Sequence, residues 1–416
     1  MDRPAGPLPP ASEAPSRLPG FLAPFGHTAF RRLWTGAFLS SLGTWTQDVA
    51  LAWLIHTTLR EPIYLGLRAF AADAPLLAFM LVGGANADRR DRRQILLISQ
   101  VVQMSCAAAL LVLYSLGRLG IFPILALAAL TGLAQSQSAP TYQAVITSLV
   151  PARQIPNAVA LNSLQFNLSR AIGPAIAGLL LARGGTDVCF AVNVVSFFAV
   201  MVALLRIELP APAQRRSESM ADSLRAGLRY VGQDRLLAVL TGLGAAGSLL
   251  GFPLTTYLPA IASERLAGDA AVYSHLLSSL GVGAIVGALA TAQRGNAPGR
   301  GRLALLAFAV YGLSTAAAVA SRTEVLSAAL LFVSGASLVT GFSTINSLVQ
   351  ENSPEALKGR VLAIYGLAFR GGMPIGSLLA GLLAGSFGAA AVIGVFSLLM
   401  VVLAGLARRA PGLARV

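Results

Sequence analysis

The chain has 416 residues, 55% of them hydrophobic and 12% charged, with a mean hydropathy of +0.70 and 42 glycines, values that exclude an ordinary soluble globular domain. Its formal net charge of +14 would suggest a nucleic-acid ligand in a soluble protein. Here the basic residues fall in short connections between long apolar runs, so they are topology signals and nucleic acid is excluded as a partner.

A bilayer core takes about 20 apolar residues per helix. Runs of that length between charged or Gly/Pro-rich breaks number twelve, at 34–56, 63–87, 94–116, 120–148, 157–182, 186–206, 236–261, 270–293, 303–321, 325–350, 360–384 and 387–407. The alternating segments of about 10 residues that a membrane-spanning barrel needs do not occur in the sequence. The expected fold is therefore an all-α polytopic membrane protein with twelve transmembrane helices. Basic residues concentrate in every second connection: Arg31 and Arg32, the cluster at 89–93, Arg153, the stretch 206–235, Arg294 with Arg300 and Arg302, Lys358 with Arg360, and Arg408 with Arg409. The other connections carry single arginines, Arg60, Arg118, Arg183, Arg265 and Arg322. By the positive-inside rule both termini are cytoplasmic.

Residues 1–30, rich in proline and small side chains near the start, lack the charged start and apolar run of a signal peptide and read as a cytoplasmic tail. An N-terminal half then covers 31–207. Its first helix opens on Phe30-Arg31-Arg32-Leu33-Trp34 and carries Thr44, Trp45, Thr46, Gln47 and Asp48, which is too polar a set for a lipid-facing helix. One face lines a wet cavity, or Gln47 and Asp48 make contacts near the outer surface. The second helix brings Arg68, Asp73 and Pro75. An ionisable group near mid-membrane costs about 3 kcal/mol on insertion scales unless paired or hydrated, so Asp73 is either a functional carboxylate or half of a structural pair with an arginine.

Between the second and third helices lies a knot of six charges, Gly84-Ala85-Asn86-Ala87-Asp88-Arg89-Arg90-Asp91-Arg92-Arg93, which must sit in water. The fourth helix ends in a polar patch that includes Gln137, Tyr142 and Gln143, and the fifth carries Asn162, Gln165, Asn167 and Arg170, followed by Gly173-Pro174. Glycine and proline inside a membrane helix permit close packing and bending. Cys106 and Cys189 lie inside predicted helices and read as small packing residues with no disulfide framework.

At 208–235 the apolar pattern stops. Met220, Leu224, Leu228 and Val231 form one stripe of a short amphipathic helix on the cytoplasmic membrane surface, within a linker between halves. The C-terminal half spans 236–409, with a tail at 410–416. Arg170 and Pro174 recur as Arg370 and Pro374, 200 residues on in each case (370 − 170 and 374 − 174), each in the fifth helix of its half. The two halves are thus pseudo-symmetric six-helix units. The charged hinge recurs only weakly, as Arg294 to Arg302 without an acid, and Pro298 breaks any phosphate-loop reading.

The hinge resembles the Gly-x-x-x-Asp-Arg-x-Gly-Arg-Arg hallmark of the major facilitator superfamily, read here as Gly84, Asp88, Arg89, Arg92 and Arg93, with Asp91 at the usual second glycine. That departure bears on the local turn more than on the charges. Within the superfamily, Phe30 to Trp34, Leu42 to Trp53, Ala87 to Arg93 and Asn162 to Gly178 resemble the branch containing the bacterial enterobactin exporter and related drug effluxers. Gly173-Pro174 also resembles the fifth-helix antiporter motif. The resemblance implies a secondary active transporter of the bacterial inner membrane, probing both faces by alternating access. It further implies that Asp88 faces the N-terminal dipole of the eleventh helix near Gly359-Arg360, while Arg89, Arg92 and Arg93 hold Asp88 or reach Glu351 and Glu355.

Uphill export without a nucleotide-binding domain calls for an ion gradient, and a proton is the economical choice. Asp73 is the first candidate carrier and Asp48 the second; Asp73 and Arg370 are expected to meet where the second and eleventh helices pack. Trp45, Gln47, Gln137, Tyr142, Gln143, Tyr257 and Asn346 are the candidate cavity residues, a lining suited to amphipathic drugs or aromatic siderophores. A lysophospholipid flippase or an importer of the same fold stays open. An enzyme is not expected: neither paired aspartates in a Gly-x-Gly-Asp setting nor a His-Glu-x-x-His helix occurs, and His27, His56 and His275 lie near helix ends. No cofactor or metal is expected, and the functional unit is expected to be a monomer in lipid.

Overall fold

The structure is a computed structural model that describes residues 20–209, 220–295, 297–410 and 413, without the side chains of Leu81, Ala85, Ala87 to Arg89 and 220–224. Of the expected tails at 1–30 and 410–416, residues 1–19, 411, 412 and 414–416 lie outside it, as do residues 210–219 of the expected linker and the side chains of Asp88, Arg89, Met220 and Leu224. The end of the first tail is helical from Gly20 to Gly26 and again from Thr28. Among the described residues every regular element is helical: α1 (Thr28–Leu54), α2 (Pro62–Arg89), α3 (Arg92–Ser115), α4 (Ile121–Ser148), α5 (Ile155–Leu205), α6 (Met220–Gln233), α7 (Arg235–Gly251), α8 (Pro253–Leu266), α9 (Ala270–Arg294), α10 (Arg300–Ala320), α11 (Glu324–Asn352), α12 (Lys358–Phe387) and α13 (Ala389–Ala407).

Ten helical stretches among these residues are long and apolar enough to cross a membrane. One of them, Ala152–Leu205, holds two crossings. They meet at Gly185, whose φ of 80° and ψ of −172° lie where only glycine is comfortable, so the chain reverses with almost no loop. The polar α1 supplies the remaining crossing. The expected seventh span is one stretch, Arg235–Leu266, interrupted at Phe252, where α7 ends and α8 restarts on Pro253, which fixes its own φ and needs no N–H partner at a first helical turn.

Two bundles result, α1–α5 and α7–α13, built alike. In the first, α2 packs on α4 through glycines, since a β-carbon at Gly83 would collide with the Ser136 carbonyl and one at Gly132 with that of Ala72. In the second, α9 and α11 do the same through Gly283, Gly287 and Gly335. Small residues let helix backbones approach where no hydrophobic effect drives them together.

The bundles meet along two symmetry-related seams, α2 with α12 and α5 with α9. Both seams are tight away from the charged hinge. A β-carbon at Gly178 would stand 2.7 Å from Cβ of Ser274, one at Gly281 2.8 Å from Cα of Ala171, and one at Gly66 2.5 Å from the Ser377 carbonyl. Toward the hinge end the helices part: Gly84 on α2 and Gly359 and Gly366 on α12 have no neighbour within 4 Å of where a β-carbon would stand. The helix α6 docks on the start of α12, where Gly227 approaches the Arg360 carbonyl; Val231 is buried and Leu228 is 63% exposed.

Candidate functional site

The parted seams frame a cavity of about 650 Å³ on the hinge side of the molecule. Its wall comes from α1 (Ser40, Ser41, Thr44, Trp45, Asp48), α3 (Gln100, Gln103), α4 (Gln135, Tyr142, Gln143), α5 (Asn162, Phe166, Asn167) and, from the other bundle, Arg370 on α12. Hydroxyls and amides alternate with aromatic faces, and Trp45 meets Phe166 edge-on at 6.2 Å. Two of the buried polar atoms on this wall, the Tyr142 hydroxyl and the Gln100 carbonyl oxygen, have no hydrogen-bond partner. An unpaired buried polar atom is costly, so such atoms mark places built to meet water or a ligand.

Of the expected cavity residues, Trp45, Tyr142 and Gln143 are on the wall and four others are not. Gln47 accepts a hydrogen bond from Asn193 at 2.9 Å, joining α1 to the second crossing of α5. Gln137 accepts one from Asn86 at 2.8 Å, joining α4 to α2. Tyr257 is fully buried and donates to the Ser377 carbonyl at 3.0 Å, tying α8 to α12. Asn346, on α11, is not among the residues of the wall. Gln47, Gln137 and Tyr257 are polar for the same reason a cavity residue would be, but the partner of each is another helix. Gln100 and Gln103 were not among the residues expected on the wall; their signal is two amides three residues apart, next to Ser99, on one stretch of α3.

Beyond the cavity, away from the hinge, a second space of about 120 Å³ is lined by Arg68, Thr255, Thr256 and Tyr273. Trp45 and Asp48 line both spaces and form the partition between them. Asp48 is ion-paired with Arg68, which links α1 to α2 across this partition. Glycine at 173 is what lets Trp45 sit there, because a β-carbon at that position would collide with Cβ of Trp45. The neighbouring Pro174 is buried in α5 and Pro374 is buried in α12.

Asp73 makes no ion pair within 4.0 Å among the described residues; the expected Asp73–Arg370 pair does not form, and Asp48 takes Arg68 instead. Arg68 and Arg370 are nonetheless near enough to act on Asp73 electrostatically, as is Asp48. Asp48 and Arg68 touch, and Asp73 and Arg370 join them at longer range in one charge chain, with Asp73 lining neither space. Arg370 is exposed in the cavity and Arg170 is partly buried in α5, and neither has an ion-pair partner among the described residues.

At the hinge, Asp91 adopts φ −60° and its side chain accepts from the Arg93 N–H at 2.8 Å. No glycine is needed, and the substituted aspartate caps α3. Arg93 donates to the Ile207 carbonyl and Arg32 to that of Arg206 at 3.2 Å, so two cations satisfy carbonyls left open at the end of α5. Of the acids the hinge arginines were expected to reach, Glu351 is gripped by both terminal guanidinium nitrogens of Arg300 and Glu355 is bonded by Lys358 at 3.4 Å, while the Arg89 side chain lies outside the described residues. The second hinge, which has no acid of its own, thus takes one from the end of α11.

Two like-built bundles, a cavity between them closed at one end, and a charged hinge at the other define a transporter of the major facilitator class. Residues 19–414 match the model of the family described as transmembrane secretion effector, and the chain belongs to that family. It is 26% identical to the staphyloferrin A transporter of Staphylococcus aureus over 85% of this chain and 89% of that protein. Identity is also 26% with the enterobactin exporter EntS of Escherichia coli, over 85% of each chain, and 27% with the multidrug efflux pump Tap of Mycolicibacterium fortuitum, over 88% and 92%. Among solved structures the D-xylose-proton symporter superposes with a TM-score of 0.73 at 13% identity, covering 91% of this chain and 97% of that one, which shows the fold.

Proposed function

We propose that this chain is a proton-coupled exporter of small amphipathic molecules, drug or siderophore, that works by alternating access in a bacterial inner membrane with its hinge end in the cytoplasm. The observation that carries the reading is the cavity itself, walled by the first bundle with Arg370 reaching it from the second, and bounded on the far side by Trp45 and the Asp48–Arg68 pair. With the hinge end cytoplasmic, this is the loading state. The relatives' names add siderophores and drugs as the cargo classes to test.

Closing the hinge end brings α2 toward the start of α12, where Gly84, Gly359 and Gly366 leave room for backbone approach. In this scheme Asp88 meets the positive end of α12 and holds the closed form, while the Asp48–Arg68 pair yields on the other side. Coupling falls to Asp73, the carboxylate of the charge chain without an ion-pair partner among the described residues, with Asp48 second. A proton on Asp73 removes one negative charge between Arg68 and Arg370, and the change is felt at both spaces.

The test is transport in inverted vesicles, with and without an imposed proton gradient, against a panel of siderophores, drugs and lysolipids. Accumulation of a siderophore or drug that collapses when the gradient is discharged is the expected result. Accumulation independent of the gradient removes proton coupling, and movement of lysolipids alone makes the protein a flippase.

A further inference from the structure

We infer that the cavity holds its cargo by an anionic group on Arg370, so that the transported class is oxygen-rich anionic amphipaths and cationic amphipaths are poor cargo; this rests on the transporter reading above. Asp48 and Arg370 are the charged residues on the described wall. The Asp48 carboxylate is already engaged by Arg68, which leaves Arg370 as the charge presented to a ligand.

Arg370 is exposed to the cavity and makes no hydrogen bond or ion pair among the described residues. The acid that acts on it electrostatically, Asp73, acts on Arg68 as well. Asp48 and Asp73 balance Arg68 and Arg370 in formal charge. Arg170 follows Phe166 and Asn167 by one helical turn and has no ion-pair partner among the described residues. A guanidinium at this depth is stabilised by an anion, and its planar fork matches a carboxylate or a pair of phenolate oxygens.

The rest of the wall fits the same kind of molecule. The Tyr142 hydroxyl and the Gln100 carbonyl oxygen are unpartnered and can donate to and accept from an oxygen-rich ligand. Trp45 and Phe166 offer faces for its apolar body. A cationic ligand of equal size would find the same aromatics but no free carboxylate on the described wall.

Fluorescein and tetramethylrhodamine methyl ester share one tricyclic frame and carry opposite charge. Their binding to the full chain in nanodiscs, read by fluorescence anisotropy, separates charge from shape. Fluorescein is expected to bind at least about tenfold more tightly, and Arg370→Gln to remove about tenfold of that affinity while leaving the rhodamine ester unchanged or tighter. Arg370→Lys keeps most of the fluorescein affinity, which a purely structural role for Arg370 would not require. Fluorescein binding that is absent, no tighter than the ester's, or indifferent to Arg370→Gln overturns the inference. Should Arg370→Gln fail to fold, the wild-type preference and the lysine variant decide the matter. Transport of each dye in inverted vesicles is scored apart: fluorescein bound through Arg370 but not moved defeats the exporter reading and spares the anion site. Movement of the ester together with no Arg370-dependent binding of fluorescein defeats the anion site and spares the exporter.

Discussion

The two bundles share a plan and differ in what they do with it. In the first, α5 approaches α1 through Gly173, and the residue it admits is Trp45, which faces the cavity. In the second, α12 approaches α7 through Gly372, and the residue it admits is Ser248, which is buried and bonded to the Ala245 carbonyl at 2.9 Å. The polar groups of the first bundle open into the cavity; in the second, Ser314, Thr315 and Ser334 close on each other at 2.8 and 3.0 Å, while Thr291, Ser343 and Thr344 line a separate space of about 350 Å³ at its hinge end. Where the first bundle is wet, the second fills space with Phe252, Phe308, Phe342 and Phe369, with ring centres as near as 4.8 Å. In the proposed scheme the first repeat is the recognition surface and the second a counterpart that contributes one charged group to the cavity, Arg370.

The sharpest way to break this division is to neutralise its charge chain. Asp73→Asn is expected to lower gradient-driven transport in inverted vesicles by at least about tenfold while counterflow of preloaded cargo continues, because binding and rocking do not need the proton. Full gradient-driven activity in that variant would move coupling elsewhere. The Asp48–Arg68 pair comes next. Asp48→Asn and Arg68→Gln are each expected to cost about 1–2 kcal/mol in chemical unfolding, with the double variant costing less than their sum, since each single change strands a partly buried charge. Additive losses would show that the pair does not couple α1 to α2.

A subtler contrast lies in the glycines. Gly173→Ala must displace Trp45 and is expected to cost about 1–3 kcal/mol and to alter dye binding. Gly385→Ala, where nothing stands within 4 Å of the new carbon, is expected to be neutral or stabilising in the same assay. The smallest effect belongs to the second hinge. Arg300→Gln breaks a pair whose acid is 38% exposed, so thermal unfolding is expected to change by no more than about 1 kcal/mol.

Much of this plan was legible in residues. Apolar runs of membrane length set the crossings, and the Arg170/Arg370 and Pro174/Pro374 repeat placed the bundles in register. What stayed hidden was azimuth. Gln47, Gln137 and Tyr257 are as polar as Tyr142 and Gln143, but a one-dimensional pattern does not say whether a polar side chain meets a neighbouring helix or a cavity. Likewise Asp48 and Asp73 were both visible as intramembrane acids, yet which of them took Arg68 depended on how α1 and α2 cross. The break before Pro253 was masked by an unbroken apolar run on either side of it.

The most direct test is which face of the membrane reaches the cavity, and when. Cys106 and Cys189 are both buried, so a cysteine placed by Ser163→Cys on the exposed cavity side of α5 can be followed against a quiet background. A membrane-impermeant maleimide is predicted to label it in inverted vesicles and not in right-side-out vesicles, with the rate falling when a proton gradient and cargo drive the hinge end closed. Labelling from the outer face alone, or a rate indifferent to gradient and cargo, would contradict alternating access through this cavity.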